Sequence, residues 1–142
     1  MSQLTPPYAI DKRLAPAGDN PEALLPRQVG PYRRGPLRNG GNYKGDPVYA
    51  DYESGASAIF MELGVCDSAH DARCILETAM NETVGSVPAP GVLYDGQSDP
   101  AYLRTMNADG AFLAWTRGKV YFSAHAKGGE KDLDTFMQAF PY

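Results

Sequence analysis

Between Val48 and Leu63 the chain alternates between apolar and polar positions. Val48-Tyr49-Ala50-Asp51-Tyr52 leads to a turn at Glu53-Ser54-Gly55, and Ala58-Ile59-Phe60-Met61-Glu62-Leu63 follows. Period-two alternation on either side of a glycine-containing turn predicts a β-hairpin. The period then changes. Ala69, Ala72, Leu76, Ala79 and Thr83 recur at three- and four-residue steps, one face of a helix beginning near Ser68. Ser68 with Asp71 three residues later resembles a capping box, and Gly85 is placed to end the helix. The same order returns near the C-terminus. Phe112-Leu113-Ala114-Trp115, a turn at Arg117-Gly118 and Val120-Tyr121-Phe122-Ser123 precede a helix over about 130–140, whose bulky face is Leu133, Phe136, Met137 and Phe140.

The remaining pattern is weaker. Leu24 to Arg34 reads as a lead-in and one short strand, with Pro31 arguing for a sheet edge. Gly35 to Asp46 reads as a loop, and Tyr102 to Met106 as a strand before the turn Asn107-Ala108-Asp109-Gly110. Residues 86–100, with three prolines and two glycines, read as a long surface loop. The expected fold is α+β: a mainly antiparallel sheet of about six strands, built from two hairpin-plus-helix units, with the helices packed on the sheet.

Composition divides the chain. Seven of its twelve prolines precede residue 45, so the first third is expected to be extended, with an arm over 1–23 and a single α+β domain over 24–142. Residues 1–45 carry a net charge of +4 and the remainder −8. A basic segment on an acidic body can lie along that body or reach an acidic partner. Nucleic acid is disfavoured, because the basic residues are dispersed and the pI is about 5.1. No apolar run approaches the roughly 20 residues that span a bilayer. Met1 to Pro7 lacks the apolar core of a signal peptide, and the two cysteines define no disulfide framework. The expected location is cytoplasmic or on the cytoplasmic face of a membrane complex, with a periplasmic one left open.

Candidate chemistry is sparse. Cys66, His70 and Cys74 lie four residues apart with Glu77 beyond, and thiolate and imidazole are zinc ligand types. The helix start at Ser68 breaks that spacing, and the plainer alternative puts Cys66 at a strand end with His70 and Cys74 facing solvent. A thiol nucleophile would pair Cys66 or Cys74 with His70 or His125. Gly128-Gly129 could offer backbone N–H groups to an anion, or could simply be a turn feeding a helix. Asp132 and Asp134, two residues apart on that helix, face apart and read as surface acids. No glycine-rich nucleotide motif or serine-nucleophile motif is present. No cofactor or metal is expected. The strand aromatics Tyr49, Tyr52, Phe60, Tyr102, Phe112, Trp115, Tyr121 and Phe122 form either core or, where a sheet face is open, an adhesive surface.

Leu25-Pro26-Arg27-Gln28-Val29-Gly30-Pro31-Tyr32-Arg33-Arg34 resembles the opening of small bacterial α+β proteins of uncharacterised function. Tyr52 to Ala72 and Trp115 to Phe122 are similar to their hairpin, helix start and strand turn. The general build resembles the PsbP/Mog1-like fold, and the resemblance implies an accessory subunit and not an enzyme. The leading expectation is therefore a non-catalytic accessory or structural subunit of a larger protein assembly, such as a membrane-bound electron-transport or photosynthetic complex. Its expected contacts are Tyr8, Ile10, Leu14, Tyr32, Arg33, Arg34 and Trp115. The alternatives are a small-molecule binder with a pocket between the sheet and the 86–100 loop, and a metal or thiol enzyme.

Overall fold

The computed structural model describes residues 18, 20–39, 47–84, 92–97, 100–107 and 110–142. The elements are α1 (Pro21–Leu24), β1 (Gln28–Val29), β2 (Tyr32–Arg34), β3 (Arg38–Asn39), β4 (Val48–Ser54), β5 (Ser57–Val65), α2 (Ala69–Val84), β6 (Val92–Asp95), β7 (Tyr102–Asn107), β8 (Gly110–Arg117), β9 (Val120–Ala126) and α3 (Glu130–Ala139). The class is α+β and every strand pairing is antiparallel. Among the described residues the sheet has nine strands where about six were expected. The extra ones are β1, β3 and β6, each two to four residues long and too short to show a period. β6 corrects the reading of 86–100 as loop throughout, and α1 begins inside the span expected to be arm.

Strand order is β1-β2-β4-β5-β9-β8-β7-β6, with β3 also on β4. Two meanders therefore meet at the β5–β9 pair, where Phe60 faces His125 and Glu62 faces Ser123. Both long hairpins turn on two residues, Gly55-Ala56 and Gly118-Lys119, with each glycine at φ 59°. That is the loop position that a type II′ turn reserves for glycine. At the outer edge Gly30 (φ 56°) and Pro31 turn β1 into β2, so the proline lies where no ladder bond is lost.

The helices leave to opposite faces. α3 presents Leu133, Phe136 and Met137, with Phe140 beyond its end, to a core of Tyr52, Ile59, Met61, Leu113, Trp115 and Phe122. Leu24 and Leu25, at the end of α1, complete that layer. α2 starts as its sequence implies, Ser68 Oγ accepting the Asp71 N–H at 3.1 Å. It buries Ala72 and Leu76 against Leu103, Ala114 and Tyr121 on the other face. Arg104 on β7 is wholly buried beneath α3, its Nη2 3.1 Å from Glu130 and 2.9 Å from Asp134.

Coverage of the second face is partial. β8 and β9 are buried almost continuously because α3 lies on one side and α2 on the other. β4 and most of β5 alternate buried and exposed positions because α2 packs mainly on β7, β8 and β9. Among the described residues, no helix lies over the β4–β5 half of that face. No helix among the described residues is long and apolar enough to cross a membrane.

Candidate functional site

The uncovered half-face follows from strand register. β4 sends Tyr49, Asp51 and Glu53 to it, and β5 sends Ala58, Phe60 and Glu62. Tyr49 is opposite Glu62, Asp51 opposite Phe60, and Glu53 opposite Ala58. Outside β4, Arg33 faces Glu53 and Arg38 faces Tyr49, while on the inner side Ser123 and His125 of β9 continue the rows. The result is a basic band beside an acidic one, with two aromatic rings among the acids.

The rings are in contact. Tyr49 and Phe60 stack at 5.5 Å between centroids with 21° between planes, and Phe60 is 38% exposed. The Arg38 guanidinium lies 5.8 Å over the Phe60 ring and 2.9 Å from Asp51. Both partners of that ion pair are about half exposed, so its contribution to stability is below about 1 kcal/mol. It orders the surface more than it holds the fold.

Glu62 is half-buried beside this stack, with Ser123 Oγ donating to its carboxylate at 3.5 Å. Burial pushes its carboxyl above the usual range, and the serine bond opposes that only in part. The Tyr121 phenol is pushed up by burial and then by the charge of Glu62. A carboxyl whose folded pKa is raised favours folding below its ordinary value and opposes it as pH rises through the raised one. Glu62→Gln is therefore expected to raise the melting temperature by a few degrees at pH 7. The gain should fade as pH falls through the raised value and be gone below 4.5, the ordinary value, and melting curves at pH 7 and below 4.5 check it.

A groove of about 530 Å³ opens at the end of this face, between the β4–β5 turn and the approach to α3. Asp51, Phe60, His125, Lys127 and Asp132 line it, with Ala56, Ser57, Ala58 and Gly128. Tyr32 braces it from behind: its hydroxyl lies 2.8 Å from Ser57 Oγ and 3.5 Å from the Asp132 carbonyl. The Asp132 carboxylate lies over Gly128, in the space that a side chain there would fill.

The expected contact residues scatter. Tyr8, Ile10 and Leu14 lie outside the described residues. Arg33 is exposed on the open face. Tyr32 is buried and packs edge-on against Phe136, so it is a brace and not a surface anchor. Arg34 is turned inward, its Nη1 donating to the Leu25 carbonyl at 2.6 Å and its Nη2 pairing with Glu22 at 3.0 Å. Trp115 is also corrected: it is fully buried, stacked on Phe122 at 5.2 Å, because its side of β8 faces α3. A side chain with no exposed area cannot touch a partner while the fold is intact.

The metal and thiol expectations find little geometry. Cys74 Sγ lies 3.5 Å from His70 Nε2 on the exposed side of α2. Cys66 is half-buried ahead of the helix, its thiol pushed up by burial and then by Asp71 and Asp67. His125 is on the open sheet face, paired in register with Phe60 and Phe112. No group of three metal-ligating side chains occurs among the described residues. At Gly128-Gly129 the Gly129 N–H donates to the Ala126 carbonyl at 3.1 Å, and the nearby anion is the chain's own Asp132. The expected pocket beside 86–100 falls largely outside the described residues.

Asp51 was not singled out from the sequence, Phe60 was named only among the eight strand aromatics, and Lys127 was not singled out. The signal for the first two was present, since both occupy the outward phase of the Val48–Leu63 alternation. Compared with protein-family models, curated proteins and solved structures, the chain matches none of them.

Proposed function

We propose that this chain is a non-catalytic accessory subunit that docks on a larger protein assembly through the uncovered half of its sheet. The observation that carries the reading is the partly exposed Tyr49–Phe60 stack, set in an acidic band and flanked by Arg33 and Arg38. Aromatic anchors inside a charged rim are the usual composition of a protein interface. The acids Asp51, Glu53 and Glu62 would repel a phosphate backbone, which favours protein over nucleic acid. The partner surface that fits has apolar area at its centre and charge bands of the opposite order. In this reading the arm over 1–23, with Tyr8, Ile10 and Leu14, adds a second contact, and a membrane-bound complex is one assembly of the right kind.

The catalytic readings have less support. Cys66, Cys74 and His70 are on and before α2, while His125 lies on the sheet face beside Phe60. A photo-crosslinking residue at position 60, with one at Thr78 on the exposed side of α2 as control, tests the docking reading in extracts of the native source. A product of defined mass from position 60 and none from position 78 is expected. Equal crosslinking from both positions overturns it.

A further inference from the structure

We infer that the assembly presents a lysine or arginine side chain to Glu62 and pairs with its carboxylate when this face docks. The inference rests on the docking reading and names one contact within it. The acids of the open half-face differ in their surroundings. Asp51 is exposed and already paired with Arg38 at 2.9 Å. Glu53 is exposed, with Arg33 opposite it in register. Glu62 is half-buried, and no cation among the described residues pairs with it. Arg38, two strands away in the same row, is held by Asp51 and the Phe60 ring.

The groups facing Glu62 leave it underpaired. Tyr49 is opposite it on β4 and Ser123 on β9, with Tyr121 nearby, and Glu82 of α2 adds negative charge at the Tyr121 phenol. None of these is basic. Its one hydrogen bond among the described residues is the long one from Ser123 Oγ, at 3.5 Å. Burial accordingly pushes its carboxyl up. Partner surface laid over Tyr49 and Phe60 would take still more water from this carboxylate. A cation from the partner offsets that loss, and the rings beside Glu62 add to its attraction, as Phe60 already attracts Arg38. Protonation of Glu62 is the competing outcome, and pH tells them apart. Pairing keeps the proton off, so association weakens as pH falls, whereas protonation would tighten it.

The test adds purified wild-type, Glu62→Gln or Tyr49→Ser/Phe60→Ser chain to an extract of the native source depleted of its own copy. It reads the chain concentration that half-fills the large particle. At pH 7 Glu62→Gln should need at least tenfold more chain than the wild type, although its melting temperature is expected to be higher. A steadier fold with weaker docking is a combination that a merely structural role would not give. The gap should narrow as pH is lowered from 7 towards 4.5, the ordinary carboxyl value. Filling by Glu62→Gln that equals or exceeds the wild type at pH 7 would overturn the inference, as would a gap that stays constant with pH. If the double variant is excluded while Glu62→Gln docks normally, only this inference fails. If the double variant fills the particle like the wild type, or the wild type enters no large particle, the docking reading fails and this contact with it.

Discussion

Trp115→Ala is expected to cost about 4 kcal/mol of folding stability. The indole is the largest fully buried side chain, stacked on Phe122 at 5.2 Å and edge-on to Phe140 at 5.7 Å. Removing it leaves a void between sheet and α3, and the surrounding rings cannot collapse into it without leaving their own contacts. Its Nε1 has no hydrogen-bond partner among the described residues, so the indole N–H itself carries a burial penalty. Trp115→Phe removes that N–H while keeping a ring, and should cost less than about 1.5 kcal/mol. Urea unfolding of both variants makes the check. Full stability in the alanine variant would mean that Trp115 is at the surface and that the core is wrongly placed.

Arg104→Ala is expected to cost about 3–5 kcal/mol, for a different reason. The guanidinium is wholly buried, whereas its partners Glu130 and Asp134 keep 38% and 21% of their side-chain surface. Truncation takes away the charge that holds two neighbouring carboxylates together and empties the volume of a long side chain. It also unfastens the first two turns of α3 from β7. Arg104→Met refills most of the volume and leaves carboxylates that can still hydrate, so about 2 kcal/mol is expected. The difference between the two variants separates packing from charge. Because the pair is shielded, the loss should change little between low and moderate salt. A loss in Arg104→Ala below about 1 kcal/mol would show the pairing to be a surface contact.

Local elements were legible wherever period and punctuation agreed. The three- and four-residue steps through Ala72, Leu76 and Ala79, with Ser68 at their head, mark α2 to within a residue at its start. Leu133, Phe136, Met137 and Phe140 mark α3 and its buried face. Gly55 and Gly118 mark the two tight hairpins. Strands of two to four residues carry no such pattern, which is why β1, β3 and β6 did not show in the sequence.

The site was legible only in half. Alternation in β4 and β5 against near-continuous apolar sequence in β8 and β9 records one open face and two covered ones. Using that contrast requires knowing that β5 lies beside β9, a pairing across some sixty residues that no local pattern reports. Without it, Trp115 and Phe60 are two aromatic residues on two strands. With it, one is core and the other is surface. Arg34 shows the same limit, since only the fold reveals that Glu22 and the Leu25 carbonyl turn it inward.

The most direct test of the central claim is the native mass of the particle that carries this chain, measured after gentle extraction from its source for the wild type and for a Tyr49→Ser/Phe60→Ser variant. Both substitutions fall on partly exposed positions, and the variant's melting temperature is recorded to confirm that the body is folded. The account predicts a particle well above 15.4 kDa for the wild type and release of free chain by the variant. Loss of two central aromatic anchors should weaken association at least tenfold. A wild-type chain that runs as a 15.4 kDa monomer, or a large particle indifferent to the two substitutions, would contradict it.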